Sequence, residues 1–286
     1  MTARDARLHA FRPDLADARL KGQVSAERFV TGRPARIAAS VADLKKSPRD
    51  DSAIDTQLIH GDDVLVFDET PGWAWVQAER DGYVGYVVQS AVVPHEHAPT
   101  HRVIVPRTFV YPGPDLRFAR AGELSMGALV TVTGQAETRG TAYALLSSGQ
   151  AVVAGHVAPV EAVAEDYVAV AETFLNTPYL WGGVSGFGID CSGLVQLSML
   201  MAGRRVLRDT DMQEASVGDP IVPGADFSGL RRGDLVFWKG HVAIMTDAEN
   251  MIHANGHTMM VSRESLREAV ERIGYLYGGP TSFRRP

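Results

Sequence analysis

Along the first half of the chain, apolar residues fall in short runs separated by turn residues. Leu58–Glu69, Trp73–Glu79 and Tyr83–Gln89 are divided by Thr70-Pro71-Gly72 and Arg80-Asp81-Gly82, the punctuation of hairpins rather than helices. Trp73, Trp75, Val76, Tyr83, Val84, Tyr86 and Val87 are strong strand formers. Together they predict a small all-β unit over residues 32–95. Residues 101–160 echo it. Leu58-Ile59-His60-Gly61 ahead of Val64-Leu65-Val66 is matched by Leu124-Ser125-Met126-Gly127 ahead of Leu129-Val130-Thr131-Val132, and Gly85-Tyr86-Val87 by Gly155-His156-Val157. A spacing of 66–70 residues predicts two copies of one small barrel. The second copy carries Tyr143-Ala144-Leu145 where the first has its tryptophan pair, and His95–Thr100 reads as the linker. Residues 1–31 mix charges with scattered Leu8, Phe11, Leu15, Leu20 and Phe29, as an extension packed over a neighbouring domain does.

The texture changes over 161–286. Apolar residues at 163, 167, 170, 171, 174 and 175 have helical spacing, predicting a helix over Val163–Asn176 that Pro178 ends. Gly182, Gly183, Gly186 and Gly188 form a loop into Asp190-Cys191-Ser192-Gly193, and Leu194–Ala202 is a helix too apolar to be exposed on any side. Strand-like runs follow at Asp234–Trp238, His241–Thr246, Met251–Ala254 and Thr258–Ser262, then a charged surface helix over Ser265–Ile273. Helices first and an antiparallel sheet after make this part α+β.

A length of 286 residues fits two or three domains, and 45% apolar with 22% charged residues is ordinary globular composition. The net charge of −6 argues against a nucleic-acid groove. The N-terminus has no apolar signal core, and the apolar stretch Cys191–Gly203 has 13 residues, short of the ~20 that span a bilayer. The expectation is a cytoplasmic protein with neither membrane nor nucleic-acid partners. The one cysteine, Cys191, excludes an internal disulfide and a thiolate zinc cage.

Cys191 is thus either a buried small hydrophobe or a nucleophile. An Asp before it, Ser-Gly after it and glycines upstream favour the second. The start of a helix offers partial positive charge and unpaired N–H groups, which lower a thiol pKa and hold an oxyanion. A thiol nucleophile needs a rigidly held base, and His241, opening a strand, supplies one. A three-residue turn at Asp247-Ala248-Glu249 would set Ala243 opposite His253 and place His253 on the face of His241, within diagonal reach. A two- or four-residue turn would flip it away, leaving His257 as the competitor. No phosphate loop, dinucleotide fingerprint or H-E-x-x-H is present, and His95, His97 and His101 read as linker residues rather than a metal site. No cofactor is expected.

Taken together, Pro178-Tyr179-Leu180-Trp181-Gly182-Gly183, Gly188-Ile189-Asp190-Cys191-Ser192-Gly193-Leu194-Val195-Gln196, Leu207-Arg208-Asp209-Thr210-Asp211-Met212-Gln213, Leu230–Trp238, Gly240-His241-Val242 and Ile252-His253-Ala254 resemble the NlpC-type family of papain-like cysteine peptidases, which cut bacterial cell-wall peptides. The two units ahead resemble bacterial SH3-like domains. The resemblance implies a papain-like domain behind two SH3-like barrels. It also implies hydrolysis of the γ-D-glutamyl–diamino acid bond (meso-diaminopimelate or Lys) in peptidoglycan-derived peptides, with Cys191 as nucleophile, His241 as base and His253 as orienting residue. Tyr179, Asp190 and Ser192 would lie around the substrate, and Asp209 and Thr210 would line the pocket for its N-terminal L-Ala. An aromatic of the first barrel, Trp73, Trp75 or Tyr83, is expected to close that pocket. Members with SH3-like domains and no export signal are associated with recycling of wall peptides. The rival readings are acyl transfer or amidase chemistry on the same Cys–His core, and a non-catalytic SH3-like scaffold that binds peptides.

Overall fold

Pro71-Gly72 joins strand Asp63–Thr70 to strand Trp73–Ala78 by a two-residue turn with Gly72 at φ +83°, a left-handed position that favours glycine. Such hairpins build the first half of the computed structural model, which describes residues 4–95 and 98–286. The chain divides into two compact units, one up to Glu161 and one from Ala162.

In the first unit, seven strands form one antiparallel sheet in the order Ile54–Ile59, Val41–Lys45, Val84–Val88, Trp73–Ala78, Asp63–Thr70, Arg33–Ile37 and Val92–Pro94. Strands between His101 and Pro159 follow the same sequence of elements, down to a 3-10 turn before the last strand: Gln89–Ala91 in the first, Ala154–His156 in the second. Val103, Val110, Leu124, Val130, Ala144 and Val152 form the second core. Gly61 and Gly127 close equivalent turns at φ +87° and +86°. The other sequence match shifts. Gly85 lies within a strand, whereas Gly155 lies in the 3-10 turn, so the counterpart of Gly155 is Ser90.

The N-terminal extension packs on the first barrel. Its strand Leu15–Asp17 pairs in parallel with Arg28–Val30, and Ala10 and Leu15 bury against Phe67, Trp75 and Val84. The Val84 N–H donates to the Arg7 carbonyl (2.8 Å) and Gln77 Nε2 to the Leu8 carbonyl (2.9 Å). Arg12 reaches Asp68 at 2.6 Å.

The second unit is built on a six-stranded antiparallel sheet in the order Asp219–Ile221, Ser282–Arg285, Leu235–Trp238, His241–Met245, Asn250–Asn255 and Met260–Ser265. Its helices are α1 (Tyr167–Glu172), α2 (Cys191–Met201), α3 (Thr210–Ser216) and α4 (Leu266–Tyr277). Leu266, Ala269 and Ile273 of α4 cover Trp238, Ala243, Met245 and Met251 on one face. Val242, Ile244, Ile252, Ala254 and Val261, alternating with them, are equally buried, and α2 packs against their strands. The helix predicted over Val163–Asn176 is shorter. Asp166 caps α1 by accepting from the Val168 N–H, and the chain leaves the helix after Thr173 through Asn176 at φ +66°. Val163 lies outside it and is exposed. The last strand runs over Met260–Ser265 rather than Thr258–Ser262, because Gly256–Met259 form the turn. Among the described residues, no helix is long and apolar enough to cross a membrane.

Candidate active site

The glycine loop and the start of α2 are in backbone contact. A Cβ on Gly183 would lie 2.5 Å from the Gly188 carbonyl oxygen, and one on Gly193 would lie 2.3 Å from the Gly183 carbonyl oxygen, so neither position accepts a side chain without moving the loop. Asp190 caps α2. Its Oδ1 accepts from the Gly193 N–H (2.7 Å), and its Oδ2 accepts from the Gly182 N–H (2.9 Å) and from Arg208 Nη2 (2.6 Å). Arg208, 1% exposed, also donates to Ser192 Oγ (2.7 Å). Gln213 of α3 donates to the Ser192 and Leu207 carbonyls, both at 2.9 Å. The side chains of Asp190 and Ser192 are thus engaged beneath the first turn of α2, which presents Cys191 as its first residue.

Around the sulfur, Thr210 Oγ1 lies at 3.9 Å and the Val242 N–H bonds to the thiol. Val242 follows His241, so this contact ties the helix start to the head of the His241 strand. The half-buried Tyr179 is near enough that burial, Cys191 and Asp190 together raise its phenol pKa. Asp209 stands at the N-cap position of α3, yet its side chain makes no capping bond.

The hairpin holds the three-residue turn. Met245 pairs with Met251 and Ile244 with Ile252, and the Thr246 N–H donates to the Asn250 carbonyl (2.8 Å). That register puts His253 on the His241 face, with His241 Nε2 2.8 Å from His253 Nδ1. His253 is fully buried, and its Nε2 lies 2.7 Å from Glu264 Oε1. Glu264 in turn pairs with Arg272 of α4. His257 sits in the exposed turn that follows.

Burial, the charge of Asp190 adding to it, pushes the Cys191 thiol up to about 11 against the pull of the Val242 N–H, Thr210 and Arg208. Burial likewise presses His241 down to about 3, with His253 and Arg272 adding to the effect. The lowered thiol pKa expected from the helix start is therefore reversed: desolvation outweighs the helix terminus. Both shifts favour the neutral forms, a thiol at Cys191 and an imidazole at His241. His241 Nε2 is occupied by His253, which leaves Nδ1 as the basic nitrogen. A neutral thiol must lose its proton to a base before or during attack, and the helix-terminal N–H groups beside it can hold an oxyanion.

The structure brings together Tyr179, Asp190, Cys191, Ser192 and Thr210, and separately joins His241 to His253. Trp75 is enclosed in the first unit, its ring 5.8 Å from Phe67 and 4.3 Å from the Arg12 guanidinium. Tyr83 is 4% exposed, while Trp73 is half-buried with Lys45 beside its ring. Of the linker histidines, His95 bonds to Arg36 and His101 to Thr100, each at 2.8 Å; His97 lies outside the described residues. Sequence reasoning missed Glu264 and Arg272. The signal available was the alternation of the final strand, which sets Glu264 two residues beyond Ser262, the partner of His253.

The NlpC/P60 family pattern matches residues 176–273, and that of the bacterial dipeptidyl-peptidase SH3 domain matches 44–92. A protein named gamma-D-glutamyl-L-lysine dipeptidyl-peptidase from Bacillus subtilis (strain 168) is 29% identical over 227 residues, 71% of this chain and 73% of that one. Dipeptidyl-peptidase 6 of Lysinibacillus sphaericus is 33% identical over 136 residues, 44% of this chain, which spans only 49% of that relative's length. A crystal structure of an NlpC/P60 family protein from Bacillus cereus ATCC 10987 superposes with a TM-score of 0.72 at 22% identity, over 88% of this chain and 99% of that one; it shows a shared fold. With α2 packed against the sheet, these matches show that the chain carries an NlpC/P60 cysteine peptidase domain behind a bacterial SH3 domain.

Proposed function

We propose that the chain hydrolyses the γ-D-glutamyl–diamino acid bond of peptidoglycan-derived peptides bearing a free N-terminal L-Ala, in the recycling of wall peptides. The observation that carries this reading is a histidine relay at the head of the strand that touches the helix-terminal thiol: the Val242 N–H bonds to Cys191, the first residue of α2, and His241, one residue earlier, has its Nε2 held 2.8 Å from His253 Nδ1. The similarity to the gamma-D-glutamyl-L-lysine dipeptidyl-peptidase of B. subtilis supports the bond class.

In this mechanism His241 Nδ1 takes the proton of Cys191 as the sulfur attacks the γ-carbonyl carbon of D-Glu. Backbone N–H groups at the start of α2 hold the oxyanion. The protonated His241 then gives its proton to the departing amine of the diamino acid, and water, deprotonated by the same imidazole, hydrolyses the thioester. His253 keeps the His241 ring in place throughout. Asp209, at the head of α3 next to Thr210, which lies 3.9 Å from the Cys191 sulfur, is the candidate partner for the substrate ammonium.

The test is incubation of the purified protein with L-Ala-γ-D-Glu-diaminopimelate and L-Ala-γ-D-Glu-Lys, followed by mass spectrometry. Release of L-Ala-γ-D-Glu with a free carboxylate and of the diamino acid is expected. An acylated second amine would replace hydrolysis with acyl transfer, and intact peptides would overturn the proposal.

A further inference from the structure

We infer that Glu264 is a positioning residue that sets the direction of the proton chain running through His253 to His241, so that the ring nitrogen left to the thiol is a bare acceptor. The inference deepens the catalytic reading above and rests on His241 being the base.

Four side chains lie in series. Arg272 meets Glu264, Glu264 Oε1 lies 2.7 Å from His253 Nε2, and His253 Nδ1 lies 2.8 Å from His241 Nε2. His253 is fully buried, and its Nε2 has no aligned hydrogen-bond partner among the described residues, so its close polar contact is the 2.7 Å approach of the Glu264 carboxylate. A bare nitrogen lone pair facing a carboxylate oxygen at that distance is repulsive, so the proton of His253 belongs on Nε2. Its Nδ1 is then bare and accepts from His241 Nε2–H. That places the only proton of a neutral His241 on Nε2 and leaves Nδ1 bare. Each step follows from the one before, and the first is set by the carboxylate.

The reverse chain is equally well hydrogen-bonded and useless. With the His253 proton on Nδ1, His241 must accept at Nε2 and carry its own proton on Nδ1, where it cannot take one from sulfur. The two histidines by themselves do not choose between these arrangements, because each direction contains the same single bond. Glu264 chooses. Arg272 pairs with the same carboxylate and holds its oxygen toward His253 as an acceptor. Burial raises the Glu264 carboxyl, but the contacts with His253 and Arg272 outweigh it and hold the group below its ordinary value. The strand and α4 supply this placement together: Glu264 stands opposite Met251 on the face of His253, and Arg272 lies on the helix that follows.

The experiment uses the full chain labelled with ¹⁵N-histidine at pH 7. Long-range ¹H–¹⁵N correlation reads which ring nitrogens carry protons, and Cys191→Ala, His241→Gln and His253→Gln variants assign the signals. The expected result is a proton on Nε2 and a bare Nδ1 in both His241 and His253. In Glu264→Leu the His241 signals are expected to move to a mixture of tautomers or to the Nδ1–H form, and in Glu264→Asp to return toward the parent. With the tripeptide substrate, Glu264→Leu should lower kcat by about 100-fold with KM within threefold. Should Glu264→Leu fail to fold, Glu264→Met, which keeps the length of the side chain and offers no oxygen acceptor, gives the same readouts. A parent His241 protonated on Nδ1, a doubly protonated His253, or tautomers unchanged in folded Glu264→Leu or Glu264→Met would overturn the inference. The tautomer readout needs no substrate, so failure to cleave the peptide and failure of this inference are separate results.

Discussion

Arg208 Nη2 lies 2.6 Å from Asp190 Oδ2, with the arginine side chain 1% exposed. The pair sits directly under the residue that opens α2, and the same carboxylate caps that helix. Removing one member of a buried ion pair strands the other, a loss of about 3–5 kcal/mol. Arg208→Met is therefore expected to lower the unfolding free energy of the second unit, read from its urea transition, by that amount, and the double variant Arg208→Met with Asp190→Asn to recover part of it. A loss below about 1 kcal/mol in the single variant would refute a structural role for the pair.

Cys191 should react as a buried neutral thiol. Since thiolate is the reactive form and the thiol is pushed up to about 11, the rate of alkylation by iodoacetamide should rise roughly tenfold per pH unit between about pH 7 and 10. A rate plateau between pH 4 and 7, the sign of a preformed thiolate–imidazolium pair, would contradict the neutral resting state.

Stability should fall at both ends of the pH range. His241 is depressed to about 3 from its ordinary 6.5, so its contribution is present above pH 6.5 and lost as pH falls toward 3. Cys191 is raised from 9.0 to about 11, so its contribution is present below pH 9 and lost as pH rises toward 11. Denaturant titrations of Cys191→Ala should show a shallower alkaline decline, and those of His241→Gln a shallower acid decline. Slopes identical to the parent would show that neither group is the one responsible.

The catalytic variants should rank by role. Cys191→Ala is expected to abolish turnover with unchanged thermal melting, since it removes one sulfur atom at the edge of a packed helix. His241→Ala should be nearly inactive, while His253→Ala or Asn keeps measurable activity, because an orienting group does not itself make and break the proton bond. His257 lies in an exposed turn, so His257→Ala should be close to parental. Peptide cleavage measured beside melting curves decides the order; a damaging His257→Ala with a silent His253→Ala would reverse it.

Asp209 should discriminate between free and blocked peptides. A charge-assisted hydrogen bond to an ammonium contributes roughly 1.5–3 kcal/mol. N-acetylation of L-Ala-γ-D-Glu-diaminopimelate is expected to lower kcat/KM by about 100-fold or more once the added bulk is included. Asp209→Asn should cost the free peptide far more than the acetylated one. Equal cleavage of the two peptides by the parent would remove Asp209 from substrate recognition.

Local pattern carried much of this protein. Turn residues and strand-forming runs were sufficient to read the first barrel and its echo, because a hairpin needs a left-handed residue at a fixed place and Gly72 supplies it. The all-apolar run after Cys191 was legible as a buried helix, and the short motifs around Cys191, His241 and His253 were legible as a family signature. The length of α1 was not. Apolar spacing continues to Leu175, but the chain turns at Thr173 because Phe174 is buried from a turn rather than from a helix face.

What the sequence by itself determined is therefore the order of the elements, the family and the pair of residue types that can do the chemistry. Tertiary structure decided how those residues meet. The three-residue turn at Asp247–Glu249 set the hairpin register that joins His253 to His241. Packing buried Arg208 against Asp190 beneath the helix, and desolvation reversed the expected direction of the thiol pKa. Glu264 and Arg272 became part of the histidine chain only when a third strand and α4 closed over it. Propensity, turn chemistry and amphipathic spacing act within a few residues and so leave their mark on the sequence. Strand register, desolvation and the direction of a proton chain arise between segments distant along the chain, and they exist only once those segments are packed together.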